Sequence, residues 1–169
     1  MKDHVPEEDR TSWLTTLLKI NALNNRLDIV QFLLRSGACM EAANGALREA
    51  AFYGHEQMTK LLVDHGADVA AADNDGATAL ILAASAGHKP VAKLLLDYGA
   101  DVAAGQNNGA TALICAAAGG HEAVAKLLLD HRADVAAAQN NGATALILAA
   151  VGGHEAVAKL LLDHRADVA

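Results

Sequence analysis

Apolar and polar residues alternate along most of this chain with the period of an α-helix, in short segments separated by glycine. Residues 78–86 form an apolar, alanine-rich segment, and a glycine follows it. Residues 90–98 place Val91, Leu94 and Leu95 at i, i+3 and i+4, the spacing of one apolar helix face. Because glycine favours the left-handed conformation that ends helices, the pattern predicts two short helices joined by a turn.

A polar loop follows each pair of helical segments and carries a strong signal for a tight turn. The loop begins with Ala-Asp-Val and reaches a tip where Asp or Asn precedes Gly. Asp-Gly and Asn-Gly favour tight turns because these residues tolerate positive φ. The pattern therefore predicts hairpins with tips at Asp75-Gly76, Asn108-Gly109 and Asn141-Gly142.

These elements recur with a period of 33 residues. The segment 73–80 returns at 106–113 and again at 139–146, with six of its eight residues unchanged. A Gly-His pair between the two helices keeps the same step at 54–55, 87–88, 120–121 and 153–154. A fixed period of this length is the signature of a repeat protein, in which each unit stacks on its neighbours.

The repeating unit resembles the ankyrin repeat in its period and in the order of its elements. The family core T-P-L-H-x-A appears with Ala for Pro and Ile for His at 78–83, 111–116 and 144–149. The Gly-His pair, a Lys-Leu-Leu segment and the closing Gly-Ala-Asp-Val also match, over roughly residues 10–169. The resemblance implies an all-α solenoid of helix-turn-helix units with protruding β-hairpin loops.

Departures from the family pattern change the local expectations. Alanine and isoleucine replace the family's proline and histidine, so apolar packing replaces a side-chain hydrogen bond to the threonine. Arg132 and Arg165 stand where Gly66 and Gly99 stand in earlier repeats. A non-glycine residue in the left-handed conformation costs on the order of 1 kcal/mol of conformational energy. The two corners where the chain leaves the second helix at these arginines should therefore be softer or differently shaped.

The expected domain organisation is a charged leader at 1–9 followed by one repeat domain at 10–169. The repeats are expected at about 10–37, 38–66, 67–99, 100–132 and 133–169. Gly37 and Gly66 are 29 residues apart instead of 33, so the first hairpin should be about four residues short. Cys39 would lie in that hairpin, and Trp13 is expected in the core of an atypical first repeat.

Repeat 5 has the sequence of an internal repeat. Residues 139–169 match 106–136 at 29 of 31 positions. An internal repeat buries both faces, so one apolar face of repeat 5 should be uncovered. Three explanations stay open: the chain is a fragment of a longer array, the face pairs with another copy or a partner, or the exposure is tolerated because much of the face is alanine.

Composition excludes several classes of protein. Lys and Arg number 13 and Asp and Glu 20, so the net charge is −7, and aromatic residues make up 3%. Nucleic-acid and membrane binding are not expected, since both need cationic surfaces. No segment approaches the roughly 18 apolar residues of a spanning helix, and the N-terminus lacks a signal-peptide core. Two distant cysteines predict free thiols and a cytoplasmic protein, with non-classical secretion as an effector left open.

The histidines do not form a catalytic or metal-binding pattern. Equivalent histidines in stacked repeats are roughly 8–10 Å apart, too far to share one zinc ion. The segments at His121 and His154 begin like H-E-x-x-H but lack the second histidine. The turn histidines should brace their loops, and those ending the second helices should sit near the negative helix end. We predict no enzyme activity, no metal and no cofactor.

The candidate binding residues lie at the hairpin tips and on the exposed side of the first helices, the concave strip that the family usually uses. Hot spots favour Trp, Tyr and Arg, so contacts should be biased towards the N-terminal repeats. Packing between repeats is an equal alternative for Phe52 and Tyr53. The candidate residues are Arg48, Phe52, Tyr53, Asn74, Asp75, Ala77, Ser85, Asn107, Asn108, Asn140 and Asn141.

The predicted function is a non-catalytic protein-binding module whose partner is another protein. Two alternatives stay open. In the first, the chain self-associates through repeat 5, for example as a homodimer. In the second, it is a fragment of a larger effector or enzyme whose activity lies elsewhere.

Overall fold

The computed structural model describes residues 7–164, and their side chains from residue 12 onward. This part of the chain forms ten α-helices, joined alternately by turns and by longer connections. They are α1 (Glu7–Leu23), α2 (Leu27–Arg35), α3 (Met40–Phe52), α4 (Glu56–Asp64), α5 (Ala79–Ser85), α6 (Lys89–Asp97), α7 (Ala112–Ala118), α8 (Glu122–Asp130), α9 (Ala145–Val151) and α10 (Glu155–Asp163). Consecutive pairs form five helix-turn-helix repeats, which confirms the predicted all-α repeat architecture.

The helices pack in two layers. The odd-numbered helices each contact the next odd-numbered helix, and the even-numbered helices form a second series beside them. The first-helix layer is lined with buried alanines, such as Ala79, Ala83 and Ala116. These small side chains let successive helices approach closely, and buried leucines such as Leu95 and Leu128 complete the core.

The third repeat shows why this sequence forms these elements. The Thr78 hydroxyl accepts a hydrogen bond from the Ile81 backbone N–H at 3.4 Å and so caps α5. Thr111 and Thr144 cap α7 and α9 in the same way. Gly87 follows α5 with a φ of +78°, a value that favours glycine and turns the chain towards α6.

The predicted hairpins lie at 67–78, 100–111 and 133–144. In the second and third of them, isolated antiparallel bridges pair Gly105 with Thr111 and Ala138 with Thr144. Between residues 7 and 164 there is no β-strand longer than one of these single bridges. The hairpins therefore depend for their stability on their turns and on contacts with neighbouring hairpins.

The prediction of a shortened hairpin between repeats 1 and 2 is wrong. Residues 40–46 instead extend α3, which has 13 residues where α5, α7 and α9 have seven. The segment does carry the turn pair Asn44-Gly45, but alanines that are buried in the core surround it. The Lys19 side chain of α1 lies against Gly45, where a Cβ would collide with it. Packing of α3 on α1 therefore overrides the local turn signal.

The first helix is long as well. α1 has 17 residues and begins at Glu7, so residues 7–9 of the predicted leader are helical. Residues 1–6 of that leader lie outside the described residues. Cys39 is the exposed N-cap of α3, and its Sγ lies 3.8 Å from the Thr15 hydroxyl oxygen.

Trp13 is not in the core of the first repeat, which corrects the sequence expectation. It is 69% exposed, and Leu17 and Ile20 are exposed on the same stripe of α1. This stripe faces away from repeat 2, because α1 turns Leu18 and Ala22 towards the core. The first repeat therefore keeps an apolar outer surface.

In the later repeats, the exposed face of repeat 5 is found as expected, but the corner at Arg132 does not have the different shape that was expected. Arg132 adopts the left-handed conformation with a φ of +63°, comparable with Gly66 at +91° and Gly99 at +86°. Its equivalent Arg165 lies outside the described residues. The face of repeat 5 that includes Ile147 is exposed, as predicted for an internal repeat without a neighbour.

Candidate protein-binding surface

Each hairpin tip is closed by an Asp or Asn side chain. The Asp73 carboxylate accepts hydrogen bonds from the backbone N–H groups of Asp75 (3.0 Å) and Ala77 (2.8 Å). In the next two hairpins, Asn108 and Asn141 accept from the backbone N–H two residues on, at 2.9 and 3.0 Å. The glycine at each tip has a φ between +81° and +84°. The tips are therefore internally bonded turns that only glycine completes without strain.

Neighbouring tips are tied together by a ladder of asparagines. The Asn107 backbone N–H donates to the Asp75 carbonyl (2.9 Å), and its side-chain amide donates to the Asn74 carbonyl (2.8 Å). One repeat later, Asn140 makes the same two bonds to the carbonyls of Asn108 (2.8 Å) and Asn107 (3.0 Å). Sequence reasoning missed this role, although the recurrence of Asn at one register position was a signal for it. The ladder fixes the spacing of the hairpins.

Two aromatic rings project from the C-terminal end of α3. Phe52 and Tyr53 pack edge to face with centroids 5.1 Å apart, and the Tyr53 ring stacks on His55 at 6.2 Å. The two side chains remain 42% and 48% exposed. Repeat 3 has the small residues Ser85 and Ala86 at these positions, so the two rings project further from the stack than the equivalent side chains of repeat 3.

Three other candidate residues offer less surface. Arg48 is half-buried, and its guanidinium donates to the Ala71 carbonyl at 3.4 Å, which connects repeat 2 to the next hairpin. Ala77 is buried beneath its tip and exposes almost nothing to a partner. Ser85 is half-buried and donates to the Leu82 carbonyl at 2.9 Å. The exposed candidates are Phe52, Tyr53, Asn74, Asp75, Asn107, Asn108, Asn140 and Asn141.

The structure groups these exposed candidates into two sets. The hairpin tips precede the first helices, and the ladder brings Asn74, Asn107 and Asn140 together. The aromatic pair lies at the opposite, C-terminal end of α3. A seven-residue first helix separates such positions by about 10 Å along its axis. A partner that contacts both sets must therefore be an extended segment or a broad surface.

The Gly-His pair couples each repeat to the one before it, which corrects the expectation that these histidines brace their own loops. The His121 Nε2 lies 3.0 Å from the Ser85 carbonyl oxygen, and His55 and His154 make the equivalent contact at 2.9 and 3.0 Å. A Cβ at Gly87 would collide with the His121 ring. Glycine is therefore needed both for its positive φ and for the room it leaves to the next repeat's histidine.

The histidines that end the second helices bond to helix carbonyls, as expected. The Nδ1 atoms of His65, His131 and His164 lie 2.8, 2.9 and 2.8 Å from the carbonyl oxygen four residues earlier. The backbone N–H of each histidine also bonds to the same carbonyl, so backbone and ring both contact the last turn of the helix. The histidines thus have structural roles in the repeat.

A small polar cluster on the second-helix layer connects repeats 2 and 3. The Tyr98 hydroxyl donates to Asp64, and the Lys60 ammonium donates to Asp64 at 3.1 Å and to the Tyr98 oxygen at 3.2 Å. The Tyr98 hydrogen bond, followed by that of Lys60, holds the pKa of Asp64 below its ordinary value. Hydrogen bonds to Tyr98 and then to Asp64 raise the pKa of Lys60. All three side chains are exposed, so the cluster is a surface feature.

The described residues contain no arrangement that suggests chemistry at this surface. Burial raises the pKa of the Cys115 thiol, which keeps it protonated and unreactive. In residues 7–164 no three or more His, Cys, Asp or Glu side chains are grouped to hold a metal ion. Over the same part of the chain, none of the helices has both the length and the apolar character that bilayer crossing requires.

Comparison with known families agrees with the geometry of the repeat. A family model for ankyrin repeats, in three copies, matches residues 18–106 and 103–169. This chain belongs to the ankyrin repeat family. Ankyrin repeats generally mediate interactions between proteins, and the asparagine ladder and the aromatic pair lie on the hairpins and first helices of this ankyrin stack.

Part of the ankyrin stack is similar to segments of palmitoyltransferases. Palmitoyltransferase ZDHHC13 of Homo sapiens is 35% identical over 83 residues, a match that covers 46% of this chain and 13% of the relative. Palmitoyltransferase ZDHHC17 of Rattus norvegicus is 32% identical over 70 residues, which cover 38% of this chain and 11% of the relative. The matched segment is thus about an eighth or less of each relative's length.

Proposed function

We propose that this ankyrin repeat chain is a non-catalytic protein-binding module that presents its hairpin tips and the exposed ends of its first helices to a polypeptide partner. The observation that supports this most directly is the ladder through Asn107 and Asn140, which links three successive tips. Tips that are fixed before a partner docks lose little conformational entropy on binding.

The centre of the proposed contact is the pair Phe52 and Tyr53. Binding energy concentrates in a few large side chains, with aromatic residues prominent among them. A peptide segment lying along the first helices would contact these rings at repeat 2 and only small side chains at repeats 3 to 5. The equivalent positions hold Ser85-Ala86, Ala118-Gly119 and Val151-Gly152.

A random peptide library displayed on phage, selected against the immobilised chain, tests this assignment. The affinity of each enriched peptide is then measured by fluorescence polarisation. The double substitution Phe52→Ala/Tyr53→Ala should weaken binding by roughly tenfold or more. The pair Asn140→Ala/Asn141→Ala should cost much less, because those tips lie far from the rings.

The matched control is Trp13→Ala, which removes a similarly exposed aromatic side chain from outside the proposed surface. It should leave the peptide affinity unchanged. Equal losses from Trp13→Ala and from the Phe52/Tyr53 pair would contradict the assignment, and so would a larger loss from the Asn140/Asn141 pair.

A second candidate function is self-association through repeat 5. It is favoured by the exposure of Ile147, Val151 and Leu162. Burial of these apolar side chains against another surface would remove them from water. The corresponding measurement is the mass of the chain in solution over a tenfold range of concentration. A mass that rises with concentration supports this candidate, and a constant 17.4 kDa contradicts it.

The role of the chain as a segment of a larger effector or enzyme is compatible with the palmitoyltransferase matches, which cover 13% of the human relative. The compartment that we propose is the cytoplasm. It is supported by the free thiols of Cys39 and Cys115, which suit a reducing environment.

A further inference from the structure

We propose that the uncovered face of repeat 5 binds the outer face of repeat 1 in a second copy of this chain, so that copies stack head to tail. This inference rests on self-association through repeat 5 and names the surface that pairs with it. The C-face consists of Ile147, Gly153 and Leu162. The N-face consists of Trp13, Leu17, Ile20, Arg26 and Phe32.

The register shows that the N-face is the surface through which repeat 1 would receive a preceding repeat. Repeat 1 aligns with repeat 2 at an offset of 29 residues, the distance from Gly37 to Gly66. Trp13 and Leu17 therefore correspond to Ala42 and Ala46, which are buried where α3 packs on α1. The same positions of α1 face outward and are exposed. They leave an apolar face of the kind that marks interaction sites.

The C-face carries an open slot that internal repeats fill. A Cβ at Gly87 or Gly120 would collide with the ring of His121 or His154 from the next repeat. A Cβ at Gly153 would meet nothing within 4 Å. Gly153 also lines a depression of about 220 Å³ on repeat 5. The slot has room for a flat, hydrogen-bonding group like the histidine ring that covers the other glycines.

Repeat 1 places an arginine where the other repeats have that histidine. Arg26 is the N-cap of α2 as His55 is the N-cap of α4. The residue before each has a positive φ, +53° at Asn25 and +74° at Gly54, which fixes the alignment. The Arg26 side chain is exposed, so it is available to a second copy.

In the head-to-tail stack, the Arg26 guanidinium covers Gly153 and donates to the Val151 carbonyl. This carbonyl is the equivalent of those of Ser85 and Ala118, which lie 3.0 Å from the histidine Nε2 atoms of the next repeat. A guanidinium is planar and offers several donors, so it reproduces both the shape and the bond of the imidazole. The internal interface thus provides the template for the contact between copies.

Head-to-tail pairing covers both exposed faces with a single kind of interface. Two C-faces that met each other would leave Trp13 and Phe32 in water. An N-face on a C-face is a heterologous contact, which adds copies one after another unless the rotation closes a ring. Leu17 is larger than the alanine it replaces, so we expect a weaker contact than between internal repeats.

Sedimentation velocity of the full 169-residue chain over a tenfold concentration range tests the pairing. Phe32→Glu disrupts the N-face and Ile147→Glu the C-face, at side chains that are 68% and 45% exposed. Circular dichroism checks that both variants fold. Each variant alone should stay at 17.4 kDa, while the wild type grows with concentration beyond a dimer. An equimolar mixture should form a 1:1 complex that grows no further, because it contains one intact N-face and one intact C-face.

The other outcomes separate this inference from the function on which it rests. If Phe32→Glu associates as strongly as the wild type, the C-face pairs with itself, which overturns the head-to-tail arrangement and leaves self-association standing. A wild-type chain that remains monomeric at every concentration overturns both.

Substitutions of Arg26 test the slot itself. Arg26→Ala should weaken association roughly tenfold, because the Val151 carbonyl loses its donor. Arg26→His should retain most of the affinity, since it restores the residue of the internal interface. If Arg26→His associates no better than Arg26→Ala, the proposed contact of residue 26 with Gly153 is wrong.

Discussion

Repeats 4 and 5 place nearly the same sequence in two environments. Ile114 and Ile147 occupy one register position, yet Ile114 is 1% exposed and Ile147 is 45% exposed. Leu129 and Leu162 differ in the same direction, from 9% to 45%. The cause is the next helix pair: α9 and α10 pack on repeat 4, whereas no described residue packs on the equivalent face of repeat 5.

What stays constant between the two repeats is equally informative. Thr111 and Thr144 cap their helices at the same 3.4 Å, and His121 and His154 reach the preceding repeat at the same 3.0 Å. These contacts lie within a repeat or point backward, so they do not depend on a following repeat. Stability in such a stack is therefore a sum of repeat terms and interface terms, and only the forward interface term differs here.

The largest predicted effect compares one substitution at two equivalent positions. Ile114→Ala should lower the free energy of unfolding by about 2–5 kcal/mol, because it leaves a cavity in the interface between repeats 4 and 5. Ile147→Ala should cost about 1 kcal/mol or less, since half of that side chain is already in water. Urea unfolding followed by circular dichroism, at low protein concentration, measures both.

The matched control for this comparison is the pair of capping threonines. Thr111→Ala and Thr144→Ala should lower the free energy of unfolding by the same amount, about 1 kcal/mol each, because a cap acts within its own repeat. Equal costs at Ile114 and Ile147 would mean that a further surface covers Ile147 in solution.

A smaller effect is expected where equivalent positions share a conformation but differ in sequence. Arg132 has a φ of +63° at the corner where repeat 3 has Gly99 at +86°. Arg132→Gly should raise the free energy of unfolding by about 1 kcal/mol, because it removes the Cβ strain of a left-handed residue. Thermal unfolding monitored by circular dichroism would show the gain as a higher midpoint.

The reverse substitution at repeat 3 is the control. A Cβ at Gly99 meets no atom within 4 Å, so Gly99→Ala introduces backbone strain without a collision. It should lower the free energy of unfolding by about the amount that Arg132→Gly gains. If neither substitution moves the midpoint, the left-handed corners carry no strain that matters to stability.

The sequence predicted those parts of the fold that local interactions decide. The helices α5 to α10 and the glycine tips each follow from residues within one repeat. The extension of α3 through Asn44-Gly45 could not be predicted in this way. There the contact of Gly45 with Lys19, from a helix far away in the sequence, outweighs a local turn signal.

The same distinction between local interactions and contacts between repeats applies to the candidate site. The exposure of the tips and of Phe52 and Tyr53 follows from register, whereas the burial of Ala77 and the engagement of Arg48 with Ala71 need the neighbouring hairpin. The asparagine ladder and the Gly-His coupling are likewise contacts between repeats. Which exposed residues meet a partner stays a prediction, since the peptide measurements above decide it.

The smallest expected effect concerns two helix ends that share a sequence pattern and differ in one neighbour. Asp64 and Asp97 each pair with a lysine four residues earlier, at 3.1 and 2.7 Å. Asp64 also accepts a hydrogen bond from Tyr98 of the following repeat, and repeat 4 has His131 at the position of Tyr98. The neighbour rather than the local pair should therefore set the titration of Asp64.

Tyr98→Phe removes that neighbour's hydroxyl, so the pKa of Asp64 should rise towards its ordinary value. A pKa that is lower in the folded than in the unfolded state stabilises the fold above the unfolded pKa, and the gain is lost as pH falls through the folded pKa. The wild type should therefore be slightly more stable than Tyr98→Phe near neutral pH, and the difference should disappear in acid. It should be small because these groups are exposed. Carboxyl-carbon NMR titration measures the pKa directly, with Tyr53→Phe as the control, and identical Asp64 curves in the wild type and Tyr98→Phe would assign the low pKa to Lys60 alone.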